Sequence, residues 1–259
     1  MRQVPEGGST AAPAPFGFVG DGRLSWHWRH YFSSLGIPWK FWARRRADQP
    51  GAAGSVSPAQ ALAGCDTVLL AVSDDAIEPV LERLRSEGLR DRTFVHFSGA
   101  RSVAGAWGTH PLMSFGVALY GPEFYRQIPI FVEESPEWPD PIRRFHTLFP
   151  QLPNPCYALP ADDKVFYHAL CALAGGLTAV LWRDFFAEMA GRWNVPRAKL
   201  ACYPRRVVEN VLESTDGALT GPVARGDAGT VRAHLEALDG SPLATAYQSL
   251  IAAAGRERA

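Results

Sequence analysis

The sequence predicts an α/β chain, with a doubly wound parallel sheet first and an all-α region after it. Three observations carry this. Short apolar runs alternate with helical patterns from Phe16 to about residue 105. A glycine turn, Gly17-Phe18-Val19-Gly20-Asp21-Gly22, joins the first run to the first helical pattern. From Asp162 onward only helical patterns follow.

Each element has a local cause. Phe16 to Val19 is a continuous apolar run that stops at glycine, as a strand buried on both faces does. Leu24 to Leu35 reads as a helix closed by Gly36 and Pro38. Pro38 to Ala43 is a second strand, ending in Arg44-Arg45-Arg46. Ser57-Pro58 opens a short helix with Ser at the N-cap and Pro at the first turn. Asp66 to Val72 is the third strand, and Asp75 to Glu87 a helix with Ile77, Val80, Leu81 and Leu84 on one face. Thr93 to Phe97 is the fourth strand, broken at Ser98-Gly99. Trp107 to Pro111 and Ile128 to Val132 read as further strands, with a short helix near Ile142 to Leu148. Long helices are expected over Asp163 to Trp193, from Pro196 to about Leu212, and over Gly229 to Leu238 and Pro242 to Ala254. The domains expected are a disordered leader over 1–15, a nucleotide-binding domain over 16–160 and a helical domain over 161–259.

Composition narrows the function. The chain has 259 residues, with 26 Lys plus Arg against 26 Asp plus Glu and no net charge. That excludes a generally basic nucleic-acid binder. Hydrophobic residues at 47% and charged residues at 20% give an ordinary globular mix. Four scattered cysteines with no CxxC pair, and ungrouped histidines, predict reduced thiols and no metal site. The longest apolar run, Ala169 to Trp182, is shorter than a bilayer span and reads as a buried helix. A cytoplasmic protein without membrane or nucleic-acid partners follows.

The turn also has a chemical reading. In a G-x-G-x-x-G/A pattern, Gly20 makes the tight turn, Gly22 lets the backbone approach a pyrophosphate, and Ser25 takes the third, small position. The helix that opens here presents free N–H groups and the positive end of its dipole to phosphates. Asp21, Arg23 and Leu24 lie in the same turn. At the end of the second strand an acidic residue would hold a ribose 2′-hydroxyl. Arg44 and Arg45 stand there instead, and a guanidinium suits the 2′-phosphate of NADP(H). Val72, Ser73 and Asp74 follow the third strand, where they line the cofactor crevice or cap the next helix. Ser98-Gly99 and His110-Pro111 close strands at carboxyl ends, where open α/β sheets bind ligands. Ser98 and Gly99 are candidates to hold substrate, and His110 to move a proton. A structural role for His110 is an equal alternative, and His96 reads as structural. Lys164 and His168 share one face near the start of the long helix, and either is a candidate to donate the substrate proton. A lysine in a first helical turn opposes the dipole, so something else is expected to favour it there, with Asp162 and Asp163 as partial compensation and an ordinary surface lysine as the alternative. Thr220 and Arg225 sit in a polar, glycine-punctuated segment and are candidates to bind a substrate carboxylate, or to form a loop clamp with Asp227.

These residues together resemble a known family. The order is Gly17-x-x-Gly20-x-Gly22-Arg23-Leu24, Ala71-Val72-x-Asp74-Asp75-x-Ile77, His96-x-Ser98-Gly99-Ala100 and His110-Pro111-Leu112-x-Ser114-Phe115. Lys164-x-x-Tyr167-His168 and Leu219-Thr220-Gly221-Pro222-x-x-Arg225-Gly226-Asp227 follow. This resembles a family of Rossmann-like oxidoreductases with a helical C-terminal domain of unknown function. That family is similar to pyrroline-carboxylate reductases, deazaflavin-dependent NADP reductases, and 6-phosphogluconate and hydroxyisobutyrate dehydrogenases. The resemblance implies a Rossmann domain binding NADP(H), a C-terminal domain like that of 6-phosphogluconate dehydrogenase, and a homodimer through the C-terminal helices. It also implies hydride transfer to or from a small carbonyl, imine or hydroxyacid, with a non-catalytic NADP(H)-binding regulator as the alternative. In β-hydroxyacid dehydrogenases the long helix carries Lys-x-x-x-Asn. Lys164 matches the lysine, whereas His168 replaces the amide. A second departure is Trp26-His27-Trp28, whose bulk threatens to crowd the diphosphate pocket.

Overall fold

Alternate residues of the central strands face opposite ways, and the two sets build two cores. A computed structural model describes residues 13–44, 56–214 and 217–254. In it Phe18, Leu69 and Val95 pack into one apolar cluster with Trp28, Phe32 and Trp107. Their neighbours Val19, Val68, Leu70 and Phe94 pack into another with Ile77, Leu81 and Leu84. A sheet covered on both faces requires strands apolar on both sides, which is the pattern of these runs.

The strands are β1 (Phe16–Val19), β2 (Trp39–Trp42), β3 (Thr67–Leu70), β4 (Thr93–His96), β5 (Trp107–Pro111), β6 (Ile130–Glu134) and β7 (Cys156–Pro160). They form one sheet in the order β2-β1-β3-β4-β5-β6-β7. All neighbours pair in parallel except β5 and β6, which are antiparallel. The intervening helices are α1 (Arg23–Ser34), α2 (Pro58–Ala61), α3 (Ile77–Ser86), α4 (Pro122–Arg126) and α5 (Pro141–Leu148). Ser57 caps α2 through a reciprocal capping box with Gln60, as its sequence predicts. Strand β7 and the short α4 lie outside the sequence expectation. The chain order reverses between β1 and β3, so the crevice beyond their carboxyl ends is the natural ligand site.

The chain divides by contacts into two units, 1–178 and 179–259. The first unit holds the sheet, then a 3₁₀ turn over Ala161–Asp163, α6 (Lys164–Ala172) and a π-helical turn over Leu173–Leu177. The second holds most of α7 (Thr178–Trp193), then α8 (Arg197–Leu200), α9 (Cys202–Glu213), α10 (Gly221–Arg225), α11 (Ala228–Ala237) and α12 (Pro242–Ala254). Most of the leader expected over 1–15, together with Arg45, lies outside the described residues.

The expectation of a buried long helix fails. Phe166, Leu170, Leu173, Leu177 and Leu181 are all exposed. The helical stretch Ala161–Trp193 is long and apolar enough, by length and composition, to cross a membrane. The apolar run alone understated this, because the helix continues beyond it through Phe185 and Phe186. The sequence reads Asp162 as the cap of this long helix, but the N-cap of α6 is Asp163, and it makes no side-chain cap bond.

Candidate functional site

A cavity of about 650 Å³ opens at the switch point. Its wall is built from the carboxyl ends of four adjacent strands: Gly20 to Leu24 after β1, Trp42 to Arg44 after β2, Ala71 to Asp74 after β3, and Phe97-Ser98 after β4. Pro79, Val80 and Arg83 of α3 close it from the side.

The glycine turn shapes the floor. Gly20 has φ of +113°, and a Cβ there would sit 2.2 Å from the Ala71 carbonyl oxygen. No L side chain fits that backbone or that space. Gly22 is the N-cap of α1, in extended backbone. A Cβ added at Gly22 would meet nothing within 4 Å. Gly22 has no side chain with which to cap α1, and the first turn of the helix carries no acid. The N-cap therefore supplies no side-chain acceptor to the leading N–H groups of this twelve-residue helix. This arrangement fits a diphosphate. Ser25 is fully buried, so the third position does serve close packing.

Of the residues expected to hold a cofactor, Gly20, Asp21, Gly22, Arg23, Leu24, Arg44, Val72, Ser73 and Asp74 line this cavity. Gly17 does not. It pairs with Lys40 and Val68 in mid-strand, and a Cβ there would lie 3.1 Å from Leu62 Cδ2. Its smallness serves packing between β1 and Leu62. Arg45 lies outside the described residues. Ser73, the N-cap of the 3₁₀ turn Asp74–Ala76, makes no side-chain cap bond, and Asp74 lies inside that turn, not at its cap. The crowding expected from Trp26-His27-Trp28 does not occur, since none of the three lines the cavity. Trp28 stacks on Phe97 at 5.5 Å, and His27 is buried against Tyr125, its Nδ1 2.6 Å from the hydroxyl.

Beside Ser98, the proton-handling candidates converge. Gly99 is so close to two imidazoles that a Cβ would lie 2.6 Å from His168 Cδ2 and 3.0 Å from His110 Cδ2. The rings of His110 and His168 stand perpendicular, with centroids 5.5 Å apart. His110 Nδ1 is 2.8 Å from the Tyr167 hydroxyl. Burial holds His110 far below the usual imidazole range, at about 4, and the charges of His168 and Lys164 act in the same direction. Burial likewise raises the Tyr167 phenol, assisted by Cys171. Both groups are thus neutral near pH 7, a donor and an acceptor in contact. Ser98 accepts from the Ala100 and Arg101 N–H groups at 3.2 and 3.0 Å, so its hydroxyl organises the loop as well as facing the cavity.

Lys164 is only 2% exposed. Its Nζ meets Glu133 Oε2 at 2.5 Å and also donates to the Arg101 carbonyl oxygen. Glu133 and Tyr167 were not singled out for chemistry from sequence, although Tyr167 stands in the motif beside His168. His96 is buried, its Nδ1 accepting from the Ser98 N–H at 3.3 Å. Burial, and then the charge of Lys164, depresses it to about 3. Thr220 and Arg225 lie in the second unit. There Arg225 forks onto Asp227 Oδ2 at 3.0 and 2.8 Å, the loop clamp weighed from sequence. Thr220 is the N-cap of α10 without a side-chain bond.

The fold and site define a Rossmann-type architecture followed by a helical C-terminal region. Residues 128–254 match the family model "Domain of unknown function (DUF2520)". A candidate NADP oxidoreductase from Bacteroides fragilis is similar in structure, with TM-score 0.69 and 17% identity over 93% of this chain and 97% of the other. A Thermotoga maritima protein has TM-score 0.62 and 19% identity, over 94% of this chain and 100% of that one. An imine reductase from Myxococcus stipitatus in complex with NADP+ has TM-score 0.60 and 14% identity, covering 94% of each chain. A search of curated protein sequences returns no match.

Proposed function

We propose that the protein is an NADP(H)-dependent oxidoreductase acting on a small carbonyl, imine or hydroxyacid. One observation carries this reading: the N-terminus of α1, opened by a glycine N-cap at Gly22, faces a cavity at the switch point of the sheet. The similarity to an imine reductase in complex with NADP+ supports the same choice of cofactor.

Gly20, Gly22, Arg23 and Leu24 would hold the diphosphate through backbone N–H groups. Arg44, on the cavity wall after β2, would pair with the 2′-phosphate. Val72, Ser73 and Asp74 would line the adenosine side. When bound, the nicotinamide supplies the hydride, and the protein supplies orientation and a proton. Ser98 lies on the cavity wall, and the adjoining Gly99 meets His110 and His168, which would hold the substrate heteroatom and exchange its proton. We also infer a homodimer in the cytoplasm through the C-terminal helices, in which a second copy covers the apolar face of α6.

The test uses a reporter built into the site. Trp42 lines the cavity, so its fluorescence should be quenched by NADPH with saturation in the micromolar range. NADPH oxidation is then followed against cyclic imines, ketoacids and ketones. Saturable quenching with turnover of one class supports the reading. Absence of quenching contradicts it.

A further inference from the structure

Lys164 stands where a dehydrogenase lysine would donate a proton, but its surroundings give it another task. Four segments meet at its ammonium. Arg101 brings a carbonyl oxygen from the turn after β4, and Glu133 a carboxylate from β6. Gly108 of β5 leaves the space, since a Cβ there would lie 2.5 Å from Lys164 Nζ, 2.7 Å from Glu133 Oε2 and 3.2 Å from His96 Cε1. The side chains of Lys164 and Glu133 are 2% and 5% exposed. A buried ion with its donors directed at protein acceptors is ill placed to meet a substrate.

The tether is in register with the histidines. His110 lies two residues beyond Gly108, on the same side of β5. His168 lies one turn beyond Lys164, on the same face of α6. Moving Lys164 against Gly108 therefore moves His168 against His110.

We propose that Lys164 and Glu133 are positioning residues that set the approach of His168 to His110, and that the histidine pair, not the lysine, handles the substrate proton. The groups facing the ammonium are Glu133 from β6, His96 from β4 and the Arg101 carbonyl. The kinetic part of this inference rests on the oxidoreductase reading. The positioning part does not.

The experiment is a double replacement. Lys164→Met alone strands a buried carboxylate, and Glu133→Leu alone strands a buried ammonium. Each single variant should melt earlier and lose activity about 100-fold or more. The Lys164→Met/Glu133→Leu double variant removes both charges and fills the space. It should regain most of the melting temperature and return kcat to within about tenfold of wild type. His168→Asn should instead lower kcat about 100-fold, with NADPH affinity unchanged. A double variant that melts like wild type but stays about 100-fold slower would make Lys164 the proton donor and overturn the proposal. Wild-type protein that turns over no substrate sinks the oxidoreductase reading alone. The positioning claim is then read from the imidazole NMR signals of His110 and His168. These should shift in Lys164→Met, or in Glu133→Gln if the first does not fold, and return in the double variant. Unshifted signals would overturn it.

Discussion

Gly99 and His168 are in direct contact, with no room for a methyl group between the loop after β4 and the face of α6. Gly99→Ala must push the imidazole away, because the nearest carbon would otherwise sit at 2.6 Å. His168 is half-buried and has somewhere to go, so the fold should survive. Turnover should fall by about 10- to 100-fold, as misplacement of a catalytic group implies. NADPH affinity, measured by fluorescence, should change little. An unchanged kcat in Gly99→Ala would remove His168 from the chemistry.

Gly20 and Gly22 should respond differently to the same substitution. Gly20→Ala forces a left-handed backbone and a collision with the Ala71 carbonyl, so it should destabilise by about 1–3 kcal/mol or more. Gly22→Ala adds a methyl group to open space and should leave the melting temperature unchanged. Its methyl would instead obstruct a diphosphate and weaken NADPH binding by about tenfold or more, some 1.4 kcal/mol. Thermal melts with and without NADPH separate the two effects. If both variants melt alike and bind alike, the turn has no ligand role.

Acid should destabilise the first unit through its buried histidines. The folded pKa of His96 is about 3, well below the value near 6.5 of an unfolded histidine. Between these values the unfolded chain binds a proton that the folded chain refuses. Stability is thus fully present above about pH 6.5 and is lost as pH falls toward the folded value. The slope approaches about 1.4 kcal/mol per pH unit for one such group. His110, at about 4, acts in the same direction. Urea denaturation at pH 7 and pH 5 should show the loss, and His96→Gln should flatten it. A pH-independent midpoint would contradict the neutral assignment of His96.

The exposed apolar face of α6 and the π-helical turn after it predicts self-association. Phe166, Leu170, Leu173 and Leu177 recur every three or four residues within the first unit, at 70%, 50%, 58% and 53% exposure. A patch this continuous is unusual on a monomer in water. Light scattering behind size-exclusion chromatography should find a dimer at micromolar concentration without detergent. Phe166→Glu/Leu173→Glu should yield a monomer. A detergent requirement for solubility would assign this helix to lipid instead.

Much of this architecture is legible before any coordinates are drawn. The β1–α1 turn is readable because each of its residues answers a local steric demand: Gly20 a positive φ, Gly22 an open N-cap, Ser25 a tight contact. Strand β7 is less readable, because Cys156–Pro160 is half-exposed, flanked by prolines, and gains its pairing only from β6. The antiparallel sense of β5 and β6 is likewise a tertiary fact with no period of its own. Lys164 shows where local reasoning stops. Its unfavourable place in a first helical turn signals a partner, and the neighbouring Asp162 and Asp163 are the obvious candidates. The partner is Glu133, thirty-one residues earlier in the chain. Nothing in the local pattern of Phe131-Val132-Glu133-Glu134 says which glutamate turns inward; only the pairing of β6 with β7 and the packing of α6 decide it.

The most direct test of the account is isothermal titration of the full chain with NADPH and, separately, with NADH. The account predicts one nucleotide bound per chain with micromolar affinity for NADPH, weaker binding of NADH, loss of the preference in Arg44→Glu and loss of both in Gly22→Val. No heat with either nucleotide, against a folded protein by circular dichroism, would contradict it.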